Sequence, residues 1–237
     1  MTTDRRRLTL EVLLVLAVTF GMSGVRAGLK LIDAALSPTP LNHQRTVLND
    51  AASSLSWLDV ALQLASAATL MAWGGLALYL LGTQLQRPRW RDWAWGAGLA
   101  ALIGIPGLAL YVVSLQMGWT KEIVPATDAA KIPLLLVWSA ANAFAEETVV
   151  VMWLLTRLKQ LRVPVWAAIA ASAVLRGTYH LYQGFSAGVG NIVMGVIFAY
   201  FYHRTGGKVW PLILAHFLID AVAYLGYLFL DLGWLGL

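Results

Sequence analysis

Eight polar side chains capable of chemistry sit inside apolar runs of the sequence: Asn142, Glu146, Glu147, Arg176, His180, Asn191, His216 and Asp220. Glu146 and Glu147 are adjacent, in the middle of the stretch that runs from Asn142 to Trp153. A carboxylate at the centre of a membrane helix costs at least ~2.5 kcal/mol, so such residues face a protein interior or a wet cavity where partners hold them. Two carboxylates and two imidazoles around such a cavity are what general-base activation of water needs. One carboxylate takes the proton, an imidazole shares it, and a second imidazole donates to the oxyanion that forms when water attacks a carbonyl. The same kinds of side chain can instead ligate a divalent metal such as zinc, and the candidate ligands are Glu146, His180, His216 and Asp220.

Spacing groups these residues. His216 and Asp220 are four apart and share a helix face, as do Arg176 with His180 and Asn142 with Glu146. Neighbours on a helix are separated by ~100°, so Glu146 and Glu147 are expected to point at different targets, one at the reaction site and the other at a neighbouring helix. At 1.5 Å per residue, Glu146 lies roughly 15 Å from the end of its run at Thr156, His216 and Asp220 roughly 9 and 15 Å from Trp210, and His180 roughly 24 Å from Val165. These depths let them meet in one cavity. Other polar residues have plainer readings. His203 beside Arg204 and His43 in a polar segment are ordinary satisfied histidines, Arg176 is a counter-charge for an acidic neighbour, and Asn191 is a hydrogen bond between helices. His216 with Asp220, taken alone, also reads as a clamp between two helices.

The elements that position these residues are membrane helices. In 237 residues, 59% are hydrophobic and only 12% charged, and the mean hydropathy is +0.69, which is more apolar surface than one soluble core can bury. The expected fold is all-α, a polytopic membrane helix bundle of about seven spans. They run from Leu8 to about Val25, Trp57 to Leu81, about Trp93 to Met117, Leu134 to Thr156, Val165 to Gln183, Val189 to His203 and Trp210 to about Leu230. The first reads as a span rather than a signal peptide, because no small-residue cleavage site follows it. Ser37-Pro-Thr-Pro40 breaks the chain, Leu41 to Ser56 is a polar loop, Pro106 is expected to kink the third span, Gly184 to Gly190 makes a turn, and Thr205-Gly-Gly207 reverses the chain. Residues 1–132 form an N-terminal group of three spans, and 133–237 a core of four spans that holds all eight polar residues.

Charge gives orientation and excludes one class of partner. The net charge is +5 and the pI near 9.6, yet the basic residues sit in short clusters between apolar runs, which suits membrane topology and not nucleic acid. With the N-terminus inside, inner segments carry Arg5, Arg6, Arg7, Arg87, Arg89, Arg91, Arg157, Lys159, Arg162, Arg204 and Lys208, against Arg45, Lys121 and Lys131 outside. A multi-pass protein of the plasma membrane with a cytoplasmic N-terminus follows. Trp90, Trp93 and Trp95 suit an interfacial belt. The chain has no cysteine, which excludes disulfides and thiolate metal sites.

Three motifs carry a family resemblance. Glu146-Glu147 on one span, His180 within Arg176-Gly-Thr-Tyr-His180 on the next, and His216-Phe-Leu-Ile-Asp220 on the last resemble the CPBP family, the CAAX proteases and bacteriocin-processing enzymes of the membrane. The family pattern is Glu-Glu-x-x-x-Arg, Phe-x-x-x-His and His-x-x-x-Asn or Asp, and the resemblance spans about Pro133 to Leu230. It implies an intramembrane endopeptidase acting on a membrane-associated protein or peptide. Glu146 would be the water-activating base, His180 its partner, and His216 with Asp220 the oxyanion-stabilising pair. Glu147 completes the catalytic set, and metal-dependent and metal-free mechanisms both stay open. The chain departs from the pattern twice: Val151 stands for the motif arginine and Arg176 for the motif phenylalanine. The positive charge has moved to the histidine helix, where it can neutralise Glu147. Asp220, when ionised, only accepts hydrogen bonds, so it is suited to orienting His216 or binding a metal.

Two other functions fit the same inventory. A non-catalytic scaffold or immunity-type relative would keep the cluster for binding. An ion-coupled transporter would use it as an ion path, although no internal repeat supports duplicated halves.

Overall fold

The computed structural model describes residues 3–48, 50–124 and 132–229. Long apolar runs bounded by proline, glycine and charge become helices: α1 Thr3–Val18, α2 Phe20–Leu36, α3 Ser56–Leu81, α4 Trp90–Gln116, α5 Ile132–Glu146, α6 Leu154–Gln160, α7 Val165–His180, α8 Phe185–Arg204 and α9 Trp210–Phe229. The all-α expectation holds for the helical architecture. Among the described residues, four helices are long and apolar enough to cross a membrane: Ser56–Leu81, Trp90–Gln116, Ile132–Gln160 and Phe185–Arg204. The bent pair Asp4–Val18 and Phe20–Leu36 would make a fifth. The chain is thus an integral membrane protein by the length and composition of its helices.

Among the described residues the count of seven is not reached. α7 has 16 residues because the chain tightens into a 3₁₀ turn at Leu181–Gln183 directly after His180, and at 1.5 Å per residue it falls short of ~30 Å of hydrocarbon. α9 is apolar over Trp210–Gly226, and the expected end of that span at Leu230 lies outside the described residues. The first span also differs from expectation. It breaks at Thr19, with a bend of 47° between α1 and α2, where the buried Thr19 Oγ1 donates to the Val15 carbonyl at 2.6 Å. Such back-bonding bends helices. The amphipathic stretch with Arg26, Lys30 and Asp33 is therefore helix, as far as Leu36.

Ser37, held extended before Pro38 (φ −65°, ψ 144°), ends α2. The polar loops are not wholly irregular. β1 Arg45–Val47 pairs in parallel with β2 Glu122–Val124, Arg45 opposite Glu122, and Arg45 Nε donates to Glu122 Oε2 at 2.8 Å. Glu122 thus balances Arg45. Asp128 and Lys131 of that loop lie outside the described residues. α4 continues through Pro106, and the expected turn over Gly184 to Gly190 is confined to Gly184 (φ 127°), after which α8 begins at Phe185. Asn191 Nδ2 donates to the Ala187 carbonyl of its own helix at 3.0 Å, where a bond between helices was expected.

The chain divides into two compact units, and each takes segments from both sides of residue 132. Unit 1 is 1–44, 113–121 and 149–208; unit 2 is 45–112, 122–148 and 209–237. In unit 1, α7 packs on α2 and α8. Glu11 on α1 accepts from Arg157 Nε at 2.7 Å and from Trp153 Nε1 at 3.2 Å. In unit 2, α5 packs on α3 and α9. A Cβ on Gly74 of α3 would fall 2.8 Å from Thr148 Oγ1 and into the Phe144 ring, and one on Gly96 of α4 would fall 2.8 Å from the Leu214 Cβ of α9. These small residues let backbones approach closely, as helix pairs in membranes require.

The stretch between α5 and α6, Glu147–Trp153, is a π-helix, so Ile132–Gln160 forms one long helix with an altered winding in its middle. Its local cause is legible in the residues. Thr148, Val149, Val150 and Val151 are β-branched, which lowers preference for regular α geometry. The rearranged ladder is supported from the side in unit 1, where Ser172 Oγ of α7 donates to the Val150 carbonyl at 2.7 Å. Within the membrane-crossing window of this helix 67% of residues are buried, against 17% for α3 and 11% for α4. The Glu-Glu helix is the most buried of these four spans, and α3 and α4 are the least.

Candidate active site

α5 and α9 bring four of the predicted residues together in unit 2. Glu146 is 6% exposed, Glu147 fully buried and His216 5% exposed. Nδ1 of His216 lies 2.8 Å from Oε1 of Glu147. On the other side of the ring, Nε2 is 3.7 Å from Oδ2 of Asp220, one turn along α9. One ligand atom from each of Glu146, Glu147 and His216 falls within 4.8 Å of the others.

This corrects one expectation. Glu146 and Glu147 were expected to face different targets, yet both reach His216. The ~100° argument assumes α-helical winding. Glu147 is the first residue of the π-helix, whose i to i+5 bonding puts more residues in each turn and so rotates each by less. The long glutamate side chain covers the rest.

The chemistry of the cluster follows from its donors and acceptors. A neutral imidazole donates from one nitrogen and accepts at the other. With Nδ1–H donated to the Glu147 carboxylate, Nε2 is the atom that takes or hands over a proton. Asp220, its side chain 23% exposed, holds a negative charge beside that nitrogen. Two carboxylates and one imidazole are also a donor set of the kind that binds divalent metals. Glu146, Glu147 and His216 thus fit a metal by ligand type and closeness. Glu147 was not among the metal candidates read from the sequence. No spacing signal could have found it, because the spacing argument assumes α-helical winding and Glu147 begins the π-helix.

Arg176 and His180 belong to unit 1. Arg176 is fully buried on α7, with its guanidinium 5.5 Å from the centre of the Phe198 ring. His180 ends the same helix, its Nδ1 3.0 Å from the Arg176 carbonyl and its ring 4.7 Å from that of Tyr179. With Nδ1–H donating to that carbonyl, Nε2 is again left as the proton-accepting atom. The backbone just beyond is tied down: Lys121 N–H donates to the Gln183 carbonyl at 3.0 Å and Phe185 N–H to the Trp119 carbonyl at 3.0 Å. Asn142, half-buried, precedes Glu146 by one turn of α5.

No curated protein and no solved structure matches the chain. A family model does, and it covers the four elements that carry the three motifs, so the resemblance read from those motifs is borne out there: residues 128–222 match the family described as type II CAAX prenyl endopeptidase Rce1-like.

Proposed function

We propose that the protein is an intramembrane endopeptidase that hydrolyses a peptide bond of a membrane-associated protein or peptide. The observation that carries the proposal is the buried Glu146, Glu147 and His216 cluster, with ligand atoms within 4.8 Å of one another, inside the stretch that matches the endopeptidase family. Glu146 acts as base. It takes a proton from water as the water oxygen bonds to the scissile carbonyl carbon, and the carbonyl oxygen becomes an oxyanion. His216, oriented by Glu147 and Asp220, carries a proton on both ring nitrogens at this step and donates Nε2–H toward that oxyanion. As the tetrahedral intermediate collapses, the C–N bond breaks and the proton held at Glu146 passes to the leaving amine. His180, by its place in the family motif, assists Glu146.

Arg176 is proposed as the counter-charge of Glu147. Glu146, Glu147 and His216 would hold a divalent metal such as zinc, with His180 and Asp220 as further candidate ligands; when bound, it supplies Lewis-acid polarisation of the carbonyl. The two versions separate on chelation. If metal is required, cleavage by purified protein stops after complete chelation and returns when zinc is added; unchanged cleavage sinks the metal version.

The proposal is tested by comparing the protein N-termini in membranes of cells carrying the wild-type and Glu146→Ala forms. Termini present only with the wild type are expected, and Glu146→Ala and His180→Ala are each expected to abolish them at unchanged protein level. Termini that are identical in the two samples would overturn the proposal.

A further inference from the structure

A second buried polar network lies on α3, outside the stretch that matches the family. Asp59, in the first turn of α3, and Gln63, one turn further in, are each 4% exposed. Asp59 Oδ1 accepts from the Ala52 backbone N–H at 2.7 Å and from Gln63 Nε2 at 2.9 Å. The other end of the same amide, Gln63 Oε1, accepts from the indole Nε1–H of Trp138 on α5 at 3.1 Å. Only one orientation of the amide gives a donor to the carboxylate and an acceptor to the indole, so the network defines it. Such a set is costly to bury in a span, and it is tied to the helix that carries the Glu pair.

The same two helices meet again near the site, where Gly74 of α3 sits against Phe144 and Thr148. Gln63 to Gly74 is eleven residues and Trp138 to Thr148 is ten, so α3 and α5 run side by side in the same direction for about 15 Å. Glu147 is nine residues from Trp138, about half a turn away around α5 at ~100° per residue. α3 therefore packs along one side of the helix that presents the Glu pair to His216, with Trp138 about half a turn from Glu147.

We propose that Gln63 is a positioning residue for the Glu146, Glu147 and His216 cluster: through Trp138 it sets the rotation of α5 about its own axis and so aims the carboxylates at α9. A rotation of about 10° moves a side-chain tip ~6 Å from the axis by about 1 Å, and a misplacement of that size costs on the order of 100-fold in rate. The catalytic consequence rests on the endopeptidase reading; the geometric one does not.

The test therefore has two readouts. The first is the ¹⁵N-histidine NMR spectrum of the protein in lipid nanodiscs, in which His216 is assigned by its loss in His216→Gln and its Nδ1 signal reports the bond to Glu147. The second is the rate at which wild-type-dependent termini appear in membranes. Gln63→Leu and Trp138→Phe are each expected to shift the His216 signal and slow cleavage on the order of 10- to 100-fold. The double variant Gln63→Leu/Trp138→Phe leaves no unpaired polar group between the two positions, so its thermal stability recovers toward wild type, while the shifted signal and slow cleavage persist. A wild-type His216 signal in all three variants overturns the proposal, as does a signal that returns together with stability in the double variant. Should Gln63→Leu fail to fold, Trp138→Phe keeps an aromatic ring in place and carries the test. If the wild type yields no cleavage at all, the endopeptidase reading fails while the His216 signal still decides the positioning role.

Discussion

Glu147 holds His216 through one carboxylate oxygen, 2.8 Å from Nδ1, and the substituent at position 147 should separate stability from chemistry. Glu147→Ala strands a buried imidazole donor and is expected to cost about 1–3 kcal/mol. Glu147→Gln keeps a carbonyl acceptor in the same place and is expected to retain most of that stability, while both variants lose cleavage. Thermal unfolding in detergent measures the difference, and equal destabilisation by Ala and Gln would mean that Nδ1 does not donate to position 147. At this scale the identities of Glu146, Glu147, His216 and Asp220 were legible from residue type and i, i+4 spacing. The aim of Glu147 was not, because side-chain direction depends on local winding, which spacing arguments take as given.

The decisive element is the long helix Ile132–Gln160 with the π-helix Glu147–Trp153 at its centre. π-helical segments are rare, appear mostly as single turns, and often mark functional sites. Ser172 supports this one through the Val150 carbonyl. Ser172→Ala is expected to lower stability by about 1 kcal/mol and to speed amide hydrogen exchange in the 150–155 backbone; unchanged exchange there would show that the π turn does not need its lateral bond. A second test concerns helix approach. Gly74→Val forces atoms into Phe144 and Thr148, and is expected to cost about 1–3 kcal/mol as overpacking does, read as a fall in unfolding temperature. The helix termini were mostly readable, since Pro38, Gly82 and Gly184 end elements by backbone preference alone. The break at Thr19 and the pairing of β1 with β2 were not, because each depends on a partner: a carbonyl one turn back for Thr19, and a segment 77 residues away for Arg45.

For the whole molecule, orientation in the membrane is the property that the basic clusters argue and a labelling experiment decides. The chain contains no cysteine, so single-cysteine variants report cleanly on which side a segment lies. Substitutions at Gln86, Lys159 and Thr205 are expected to react with a membrane-impermeant maleimide only from the cytoplasmic side, and one at Asp50 only from the other side. Labelling of Lys159 and Asp50 variants from the same side would overturn the orientation.

By itself the sequence determined that this is a helical membrane protein and which polar side chains lie inside its apolar runs, because composition, run length and residue type are one-dimensional properties. The tertiary structure decided which of them converge. Glu146, Glu147 and His216 share one buried cluster, in which Glu147 opens the π-helix and His216 meets it from α9. The contact between Glu147 and His216 joins residues 69 apart in the chain, and no local pattern encodes such a pairing.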